Sequence, residues 1–435
     1  MTYTIGLLGL GTVGTGTAKI LLDPTRRHPI LKDVKIGRVG VRNPDKKRDV
    51  AISQDILTAD LKSIVTDGDI DIVVELIGGV EPARSLILEA IANGKHVVTA
   101  NKAVISRHGD EIYTAAREKG VYVMLEAAVA GGIPIVQPLK TALGANRIHA
   151  VTGIVNGTTN YILTRMQAEG ASFDDVLADA QRLGYAEADP TADVDGLDAA
   201  DKVAILASIA FGGRIKLEDI HCEGIRQVDA ADITYADRLG FTIRLLAIAR
   251  RENCDNFTDS DDRLQVRVHP TLVPNPHPLA SVRGVDNAIL VEADPLGRVM
   301  FLGPGAGEGA TASAVVADIA NIIAILQTET EPILHPLLSC AHQHYCTIAP
   351  VEELVTRFYA RFLTRDESGV IGELGTCFGR HGVSLESIVQ IGMRDDRAEI
   401  TIVTHDVLEG NFRAAIAEIR NFEAIADIPS ILRVL

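Results

Sequence analysis

The sequence predicts an α/β protein that begins with a doubly wound parallel sheet, continues with an α+β domain and ends with a small βαββαβ domain. Three observations predict it. Short apolar runs alternate with helical stretches up to residue 125, glycine-rich turns replace this alternation from Ala130, and residues 354–435 return to an order of strands and helices. Alternation of the first kind specifies a parallel sheet covered by helices on both faces. A chain of 435 residues is also too long for a single core.

The first domain is predicted over residues 1–130, with a return segment at 301–326. Its strands are expected at 3–8, 34–41, 70–77, 96–99 and 121–125, and its helices at 12–22, 81–93, 109–119 and, in the return segment, 311–326. Apolar runs of strand length bounded by glycine and proline support these assignments.

A substrate and dimerisation domain is predicted over residues 131–300, followed by a linker at 327–353 and the C-terminal domain at 354–435. Helices are expected at 173–183 and 198–211 in the substrate domain. The C-terminal domain is expected to contain strands at 357–364, 387–392 and 397–404, helices at 369–381 and 411–424, and a last short strand.

The composition excludes two classes of partner. The formal net charge is −16, from 42 basic and 58 acidic residues, so neither nucleic acid nor an anionic membrane surface is expected to bind. The 5 cysteines include no CxxC pair, which suits a reducing compartment. No leader segment is recognisable, and no apolar run approaches the roughly 18 residues of a membrane helix. A cytoplasmic location is predicted.

A glycine-rich motif, GLGTVG at 9–14, follows the first strand and opens a helix. Its glycines allow a tight turn, a close approach of the backbone to a pyrophosphate and close packing of the helix, whose N-terminus attracts negative charge. An ordinary glycine turn is the alternative. The motif predicts a Rossmann-type dinucleotide site with these cofactor-binding residues: Gly9, Gly11, Thr12, Val13, Gly14 and, in the similar glycine-rich start of the return helix, Gly307.

The end of the second strand bears on the choice of cofactor. An acidic residue there would bind the ribose hydroxyls of NAD, but the strand ends in Val41 and Arg42, with more cations at 46–48. NADP(H) is therefore the preferred cofactor and NAD(H) the second candidate. The alternative is a solvated basic turn.

Two lysines are candidates for chemistry on a carbonyl substrate. Lys102 follows the fourth strand at the carboxyl edge of the sheet, where ligands bind, although it could equally be a surface lysine in a loop. Asp198 and Lys202 lie four apart on a predicted helix, where a carboxylate can hold a lysine that reaches a reacting oxygen. An ion-paired helix start is the alternative of equal weight.

Four motifs resemble those of the homoserine dehydrogenases of the monofunctional type with an appended regulatory domain. They are AQRLGYAEADPTADVDGLDAADK at 180–202, TANKA at 99–103, EAAVAGGIPI at 126–135 and NGTTNYIL at 156–163. The first is the most specific, and the resemblance covers nearly the whole chain. In the tail, RFL at 361–363, DESGVI at 366–371 and HGVS at 381–384 look like an ACT domain.

This resemblance implies interconversion of aspartate 4-semialdehyde and homoserine, in the route to threonine, methionine and isoleucine. It implies Lys202 as proton donor, Lys102 as a contact to the cofactor and the carbonyl oxygen, and Asp198 and Glu187 as ligands of the substrate ammonium, with Asp193 in support. A sodium ion would be held by backbone carbonyls of Glu126, Val129, Gly131 and Ile133. The residue types fit this chemistry, because the aldehyde oxygen gains negative charge that lysines stabilise.

ACT domains pair and bind amino acids, so feedback by threonine and a homodimer or homotetramer are expected. The residues argue against two rival functions. A semialdehyde dehydrogenase of the same route needs a nucleophilic cysteine, but no cysteine precedes Cys222. A non-catalytic amino-acid sensor is disfavoured by the presence of both lysines and the carboxylates.

Overall fold

A computed structural model of the chain describes residues 2–252, 263–328, 334–339, 344–394 and 397–435. Two parts of the expected linker, 329–333 and 340–343, lie outside these ranges. The described strands are β1 (Tyr3–Leu8), β2 (Val34–Gly40), β3 (Leu57–Thr58), β4 (Ile72–Glu75), β5 (His96–Thr99), β6 (Val123–Met124), β7 (Arg147–Ile154), β8 (His221–Cys222), β9 (Phe241–Arg251), β10 (Arg263–Pro274), β11 (Asp286–Asp294), β12 (Gly297–Pro304), β13 (Thr347–Ile348), β14 (Val355–Thr364), β15 (Leu385–Arg394), β16 (Arg397–Thr404), β17 (Val407–Leu408) and β18 (Ile425–Val434).

The described helices are α1 (Thr12–Leu22), α2 (Leu61–Val65), α3 (Ala83–Ala92), α4 (Lys102–Lys119), α5 (Val136–Lys140), α6 (Gly157–Glu169), α7 (Phe173–Arg182), α8 (Thr191–Val194), α9 (Leu197–Phe211), α10 (Ala230–Arg238), α11 (Glu308–Thr328), α12 (Val370–Arg380) and α13 (Glu409–Ile419). These elements belong to two compact units. The first unit comprises residues 1–151, 201–217 and 287–346, and the second comprises 152–200, 218–286 and 347–435.

The first unit is built on a six-stranded sheet of order β3-β2-β1-β4-β5-β6 in which each neighbouring pair is parallel. Its central strands are fully buried runs of branched residues, as in β4, because helices cover both faces. The strand order reverses between β1 and β4. Ligands of such sheets bind outside the carboxyl ends of the strands at this reversal, so the sheet confirms the predicted Rossmann-type fold and locates its binding edge.

Helix α11 returns to this sheet and packs against α1. The fit is close, since a Cβ on Gly16 would lie 2.7 Å from the carbonyl oxygen of Glu308. By length and composition the helix could cross a membrane, contrary to the expectation that no such run exists. Its apolar side chains, including Val315, Ile319 and Ile322, are instead buried in the core of the first unit. This burial explains the composition of the helix.

Helix α4 begins seven residues earlier than predicted, at Lys102 rather than Gly109. The cause is the preceding residue: the side chain of Asn101 accepts a hydrogen bond from Val104 N–H and caps the helix. Gly109 is accommodated inside the helix at a modest propensity cost. Lys102 is therefore the first residue of a helix and does not lie in a loop.

In the second unit, six strands lie in the order β9-β10-β18-β14-β16-β15. Strands β14, β15, β16 and β18 with helices α12 and α13 form the predicted βαββαβ domain. Its core contains stacked aromatic rings, with the ring centroids of Phe358 and Phe412 4.1 Å apart. Strand β18 is ten residues long rather than short, because it pairs with β14 on one side and with the end of β10 on the other.

Candidate active site

The glycine motif forms the turn that the sequence predicts. Gly9 has φ of +104° and donates its N–H to the carbonyl of Gly40 at 2.9 Å, so the turn is tied to β2. A Cβ on Gly14 would lie 2.2 Å from the carbonyl oxygen of Gly9, which explains the third glycine. At Gly11, by contrast, a Cβ would meet nothing within 4 Å, and this residue precedes the first turn of α1. The N-terminus of the helix is thus open to an anion.

A cavity of about 560 Å³ lies at this edge of the sheet. It is lined by Gly9 and Gly11 of the motif and by Arg42 and Lys46 of the basic turn. Arg48 lines it too, and its side chain donates to backbone carbonyls of the same turn, among them that of Pro44 at 3.2 Å. The glycine turn and three cationic side chains therefore share one cavity, a combination that suits a phosphate-bearing dinucleotide.

The other predicted cofactor residues do not line this cavity. They are Thr12, Val13 and Gly14 in α1, Gly307 just before α11, with φ of +121°, and Lys102 at the start of α4.

A buried polar cluster, which the sequence analysis missed, shapes the same edge of the sheet. Glu75 ends β4 with no exposed surface, and its carboxylate accepts hydrogen bonds from the Thr99 hydroxyl at 2.6 Å and from Ile77 N–H at 2.9 Å. Asn101, the cap of α4, donates to the carbonyl of Gly79 at 2.7 Å. The cluster fixes the loop after β4 to the start of α4. The only sequence signal was a carboxylate within an otherwise apolar strand.

In the first unit, Asp201 connects the two helices that carry the predicted catalytic lysines. Its Oδ1 accepts a hydrogen bond from the Ser106 hydroxyl at 2.8 Å and lies 2.9 Å from Nη1 of Arg107. Ser106 and Arg107 belong to α4, which Lys102 opens, and Asp201 directly precedes Lys202 on α9. Asp201 is buried and was not predicted as a site residue. Its side chain thus holds α4 against α9.

In the second unit, Asn156 brings together two of the predicted substrate-binding carboxylates. Its Nδ2 donates to Oδ1 of Asp193 at 2.7 Å and to Oδ2 of Asp198 at 2.8 Å. The amide oxygen of Asn156 accepts from Thr159 N–H at 2.8 Å, so the same residue caps α6. Both Asn156 and Asp198 are buried. Asn156 opens the motif NGTTNYIL, but nothing in that motif predicted this role.

Glu187 stands apart from this bridge. Its side chain is exposed, and its backbone carbonyl accepts a hydrogen bond from Nε2 of Gln181 at 3.0 Å. The structure therefore brings two of the three predicted substrate ligands together, and Glu187 lies in the segment between α7 and α8.

The turn predicted to hold sodium is organised around a buried carboxylate. The side chain of Glu126 accepts hydrogen bonds from the N–H groups of Ile135, Val136 and Gln137 at 2.7, 2.8 and 2.7 Å, and so caps α5. Its own N–H donates to Oδ2 of Asp318 at 2.8 Å. Burial and the nearby charge of Glu126 raise the pKa of Asp318 to about 8.

Between Glu126 and α5 the backbone turns through Ala130 and Gly131, with φ of +54° and +53°. A Cβ on Gly131 would lie 2.3 Å from the carbonyl oxygen of Gly305, so only glycine fits there. The proposed donors, the carbonyls of 126, 129, 131 and 133, are neutral oxygens of the kind that hard cations take.

Comparisons with known proteins cover the chain from end to end. Residues 9–126 match the family of homoserine dehydrogenase NAD-binding domains, residues 134–320 match the homoserine dehydrogenase family itself, and residues 358–424 match the ACT domain. A homoserine dehydrogenase from Synechocystis is 64% identical over 436 aligned residues, which cover 100% of both chains.

Solved structures agree. The homoserine dehydrogenase of Thiobacillus denitrificans has a TM-score of 0.92 at 43% identity, over 100% of this chain and 98% of that one. A hyperthermophilic archaeal homoserine dehydrogenase, solved in complex with NADPH, has a TM-score of 0.62 at 28% identity and covers 76% of this chain and 99% of its own. The resemblance found in the motifs is thus confirmed. The chain belongs to the homoserine dehydrogenase family, whose members are NAD(P)-dependent oxidoreductases acting on a CH–OH group, and it ends in an ACT domain.

Proposed function

We propose that this chain interconverts L-aspartate 4-semialdehyde and L-homoserine with NADP(H), in the biosynthesis of threonine, methionine and isoleucine. The observation that carries the proposal is the bridge from Asn156 to Asp193 and Asp198. A fixed pair of carboxylates suits a ligand with an ammonium group, as both the semialdehyde and homoserine have. Glu187 is proposed as a further ligand of that group, from a segment exposed in this structure.

In the proposed mechanism, bound NADPH supplies a hydride to the aldehyde carbon. Lys202 donates a proton to the carbonyl oxygen as negative charge develops on it, and Lys102 contacts the cofactor and polarises the same oxygen. Asp198 orients the substrate through its ammonium group. Asp201, by holding α4 to α9, is a positioning residue for both lysines. In the reverse direction Lys202 takes the proton from the homoserine hydroxyl.

The direct test compares Lys202→Ala with the wild type in homoserine-dependent reduction of NADP. Loss of the proton donor is expected to lower kcat by about 100- to 10,000-fold with folding intact by circular dichroism. Lys62→Ala is a matched control, because Lys62 is an exposed lysine that pairs with Glu89 at 3.0 Å. Undiminished turnover in Lys202→Ala would remove this lysine from the mechanism.

The preference for NADP(H) over NAD(H) is supported by Arg42 and Lys46, which line the cavity that also holds the glycine turn. A 2′-phosphate carries charge that these cations can pair, whereas a ribose hydroxyl does not. Measuring kcat/KM for both cofactors under one condition tests this preference. Equal values would show that the basic turn does not discriminate.

Sodium at the turn that begins at Glu126 forms a separate part of the proposal. Carbonyl oxygens of Glu126, Val129, Gly131 and Ile133 would hold the ion, and the left-handed backbone at residues 130–131 supports a turn that exposes successive carbonyls. Thermal unfolding in matched sodium and tetramethylammonium chloride tests it without an activity measurement. A higher Tm in sodium is expected, and identical Tm values would exclude a resident ion.

Feedback inhibition by threonine is proposed on the basis of the ACT domain at residues 358–424. We also propose that the chain forms a homodimer or homotetramer in the cytoplasm. The described free cysteines, Cys222, Cys346 and Cys377, suit a reducing compartment. Titration of threonine into the NADP assay and light scattering after size exclusion test the effector and the assembly. Activity unaffected by threonine at millimolar concentration would reject the effector.

A further inference from the structure

The ACT domain contains a cluster of three side chains of the types that bind metal ions, and the activity proposed above assigns no role to it. Cys377 and His381 lie four residues apart, at the end of α12 and at its C-cap, so they project from the same face of that helix. Glu418 lies on α13, which packs beside α12. Two adjacent helices therefore present a thiol, an imidazole and a carboxylate to a common point.

The three donor atoms converge closely. One ligand atom from each residue lies within 4.8 Å of the other two. Nε2 of His381 is 2.8 Å from Oε2 of Glu418, and Sγ of Cys377, which is fully buried, is 3.8 Å from the carbonyl oxygen of Ala415 on the same helix as Glu418. His381 and Glu418 are partly exposed. The cluster is thus closed on the core side by the thiol and open to solvent on the other.

The other oxygen of this carboxylate is held separately. Arg380 donates from Nη2 to Oε1 of Glu418, which leaves Oε2 directed at His381. Ligating carboxylates in metal sites are commonly fixed by such an outer hydrogen bond. Nitrogen and oxygen ligands of a tetrahedral zinc ion lie about 3.3 Å apart, as bond lengths of about 2.0 Å require. The pair formed by His381 and Glu418 would need to open by only about half an ångström for an ion to enter.

We propose that Cys377, His381 and Glu418 bind one divalent first-row transition metal ion of the zinc class, which ties α12 to α13 in the ACT domain. The donor set of sulfur, nitrogen and oxygen suits such an ion and does not suit calcium or magnesium. Three protein ligands leave the fourth position for water. Because the two helices come together only in the folded domain, the ion stabilises that domain by an amount that grows with the logarithm of the free metal concentration above the Kd.

The alternative is a local ion pair in which His381 and Arg380 both contact Glu418. In that arrangement the thiol of Cys377 acts only as a small buried side chain of the domain core, bonded to the carbonyl of Ala415. The two interpretations differ in a measurable way. An ion pair alone binds no metal, and it is unaffected when the thiol is replaced by a hydroxyl of similar size.

The experiment uses the full-length chain after removal of metal with a chelator. Titration with Co²⁺ is expected to produce one equivalent of a thiolate-to-cobalt charge-transfer absorption, which Zn²⁺ then displaces. Cys377→Ser should abolish this absorption. His381→Ala and Glu418→Gln should weaken binding at least about 100-fold, since loss of mere outer-shell partners already costs 10- to 100-fold. Cys222→Ser and Cys346→Ser are matched controls that should leave the titration unchanged.

Glu418→Gln keeps the proposal falsifiable if loss of the buried thiol unfolds the domain, because this position is partly exposed. Far-ultraviolet circular dichroism establishes that each variant is folded. Wild-type affinity in folded Glu418→Gln, a charge-transfer band that survives in Cys377→Ser, or failure of the wild type to retain Zn²⁺ on equilibrium dialysis would each overturn the proposal. None of the three residues belongs to the proposed catalytic machinery, so activity in the absence of threonine should not change.

Discussion

Arg361 donates from Nε to Oδ1 of Asp232 at 2.7 Å, and neither side chain is exposed to solvent. Arg361 lies in β14 of the ACT domain, whereas Asp232 lies in α10, outside that domain. The same guanidinium also donates to Glu399 at 3.1 Å and to Asp229 at 3.3 Å. One buried cation thus joins carboxylates from α10, its cap and the ACT sheet within the second unit.

Removing this cation should destabilise the second unit. We expect Arg361→Met to lower its free energy of unfolding in urea by about 3–5 kcal/mol, because the carboxylate of Asp232 would stay buried without its partner. Arg365→Ala is the control, since the pair of Arg365 with Glu423 is exposed and should contribute less than about 1 kcal/mol. Equal unfolding midpoints for the two variants would contradict the expectation.

The bridge made by Asn156 should matter for turnover. In Asn156→Ala, Asp193 and Asp198 lose their shared donor, and α6 loses its cap. We expect kcat/KM for homoserine to fall about 100-fold, the scale of effect seen when a binding group is misplaced by about 1 Å. Asn421→Ala, which removes an exposed bond to Ala417, is the control. Normal kinetics for Asn156→Ala would separate the bridge from catalysis.

The basic turn should control the choice of cofactor. We expect Arg42→Asp to lower kcat/KM for NADP by about 10- to 100-fold, since a hydrogen bond to a charged group contributes about 1.5–3 kcal/mol. The value for NAD should change little. Arg38→Ala serves as the control, because Arg38 lies in β2, just before the basic turn, but pairs with Asp67 at 3.1 Å. An equal loss for both cofactors would show that Arg42 acts on the fold rather than on the 2′-phosphate.

The raised pKa of Asp318 makes stability depend on pH. The folded-state pKa is about 8, whereas that of an unfolded aspartate is about 3.9. Folding therefore favours the neutral acid. Its contribution to the free energy of unfolding is fully present below about pH 4 and is lost as the pH rises toward about 8. Asp318→Asn cannot ionise.

Between about pH 4 and about pH 8, the free energy of unfolding of Asp318→Asn should increase relative to that of the wild type by about 1.4 kcal/mol per pH unit. Urea titrations at about pH 5, 6 and 7 measure this slope. Asp69→Asn, at an exposed turn, is the control and should run parallel to the wild type. Parallel curves for Asp318→Asn would mean that the buried acid ionises normally.

The sequence predicted features that depend on local chemistry. The glycine turn, the parallel sheet and the helix from Thr12 follow from apolar runs and from backbone requirements within a few residues. The start of α4 was wrong because it depends on Asn101, which is oriented by contacts with the loop after β4. Asn156 reaches carboxylates 37 and 42 residues away, and Asp201 binds Ser106 across 95 residues. No periodicity or spacing reports such contacts.

The length of β18 sets limits on how the ACT domain can be studied. Because Thr271 and Leu272 of β10 pair with Arg433 and Val434, a chain cut near Val351 would lose this strand. The end of β10 would then present unpaired N–H and C=O groups, an edge open to association with another chain. If such a fragment were insoluble, the cause would be the exposed edge of β10 rather than the loss of effector binding. Threonine sensitivity is therefore better removed by point substitutions in a full-length chain.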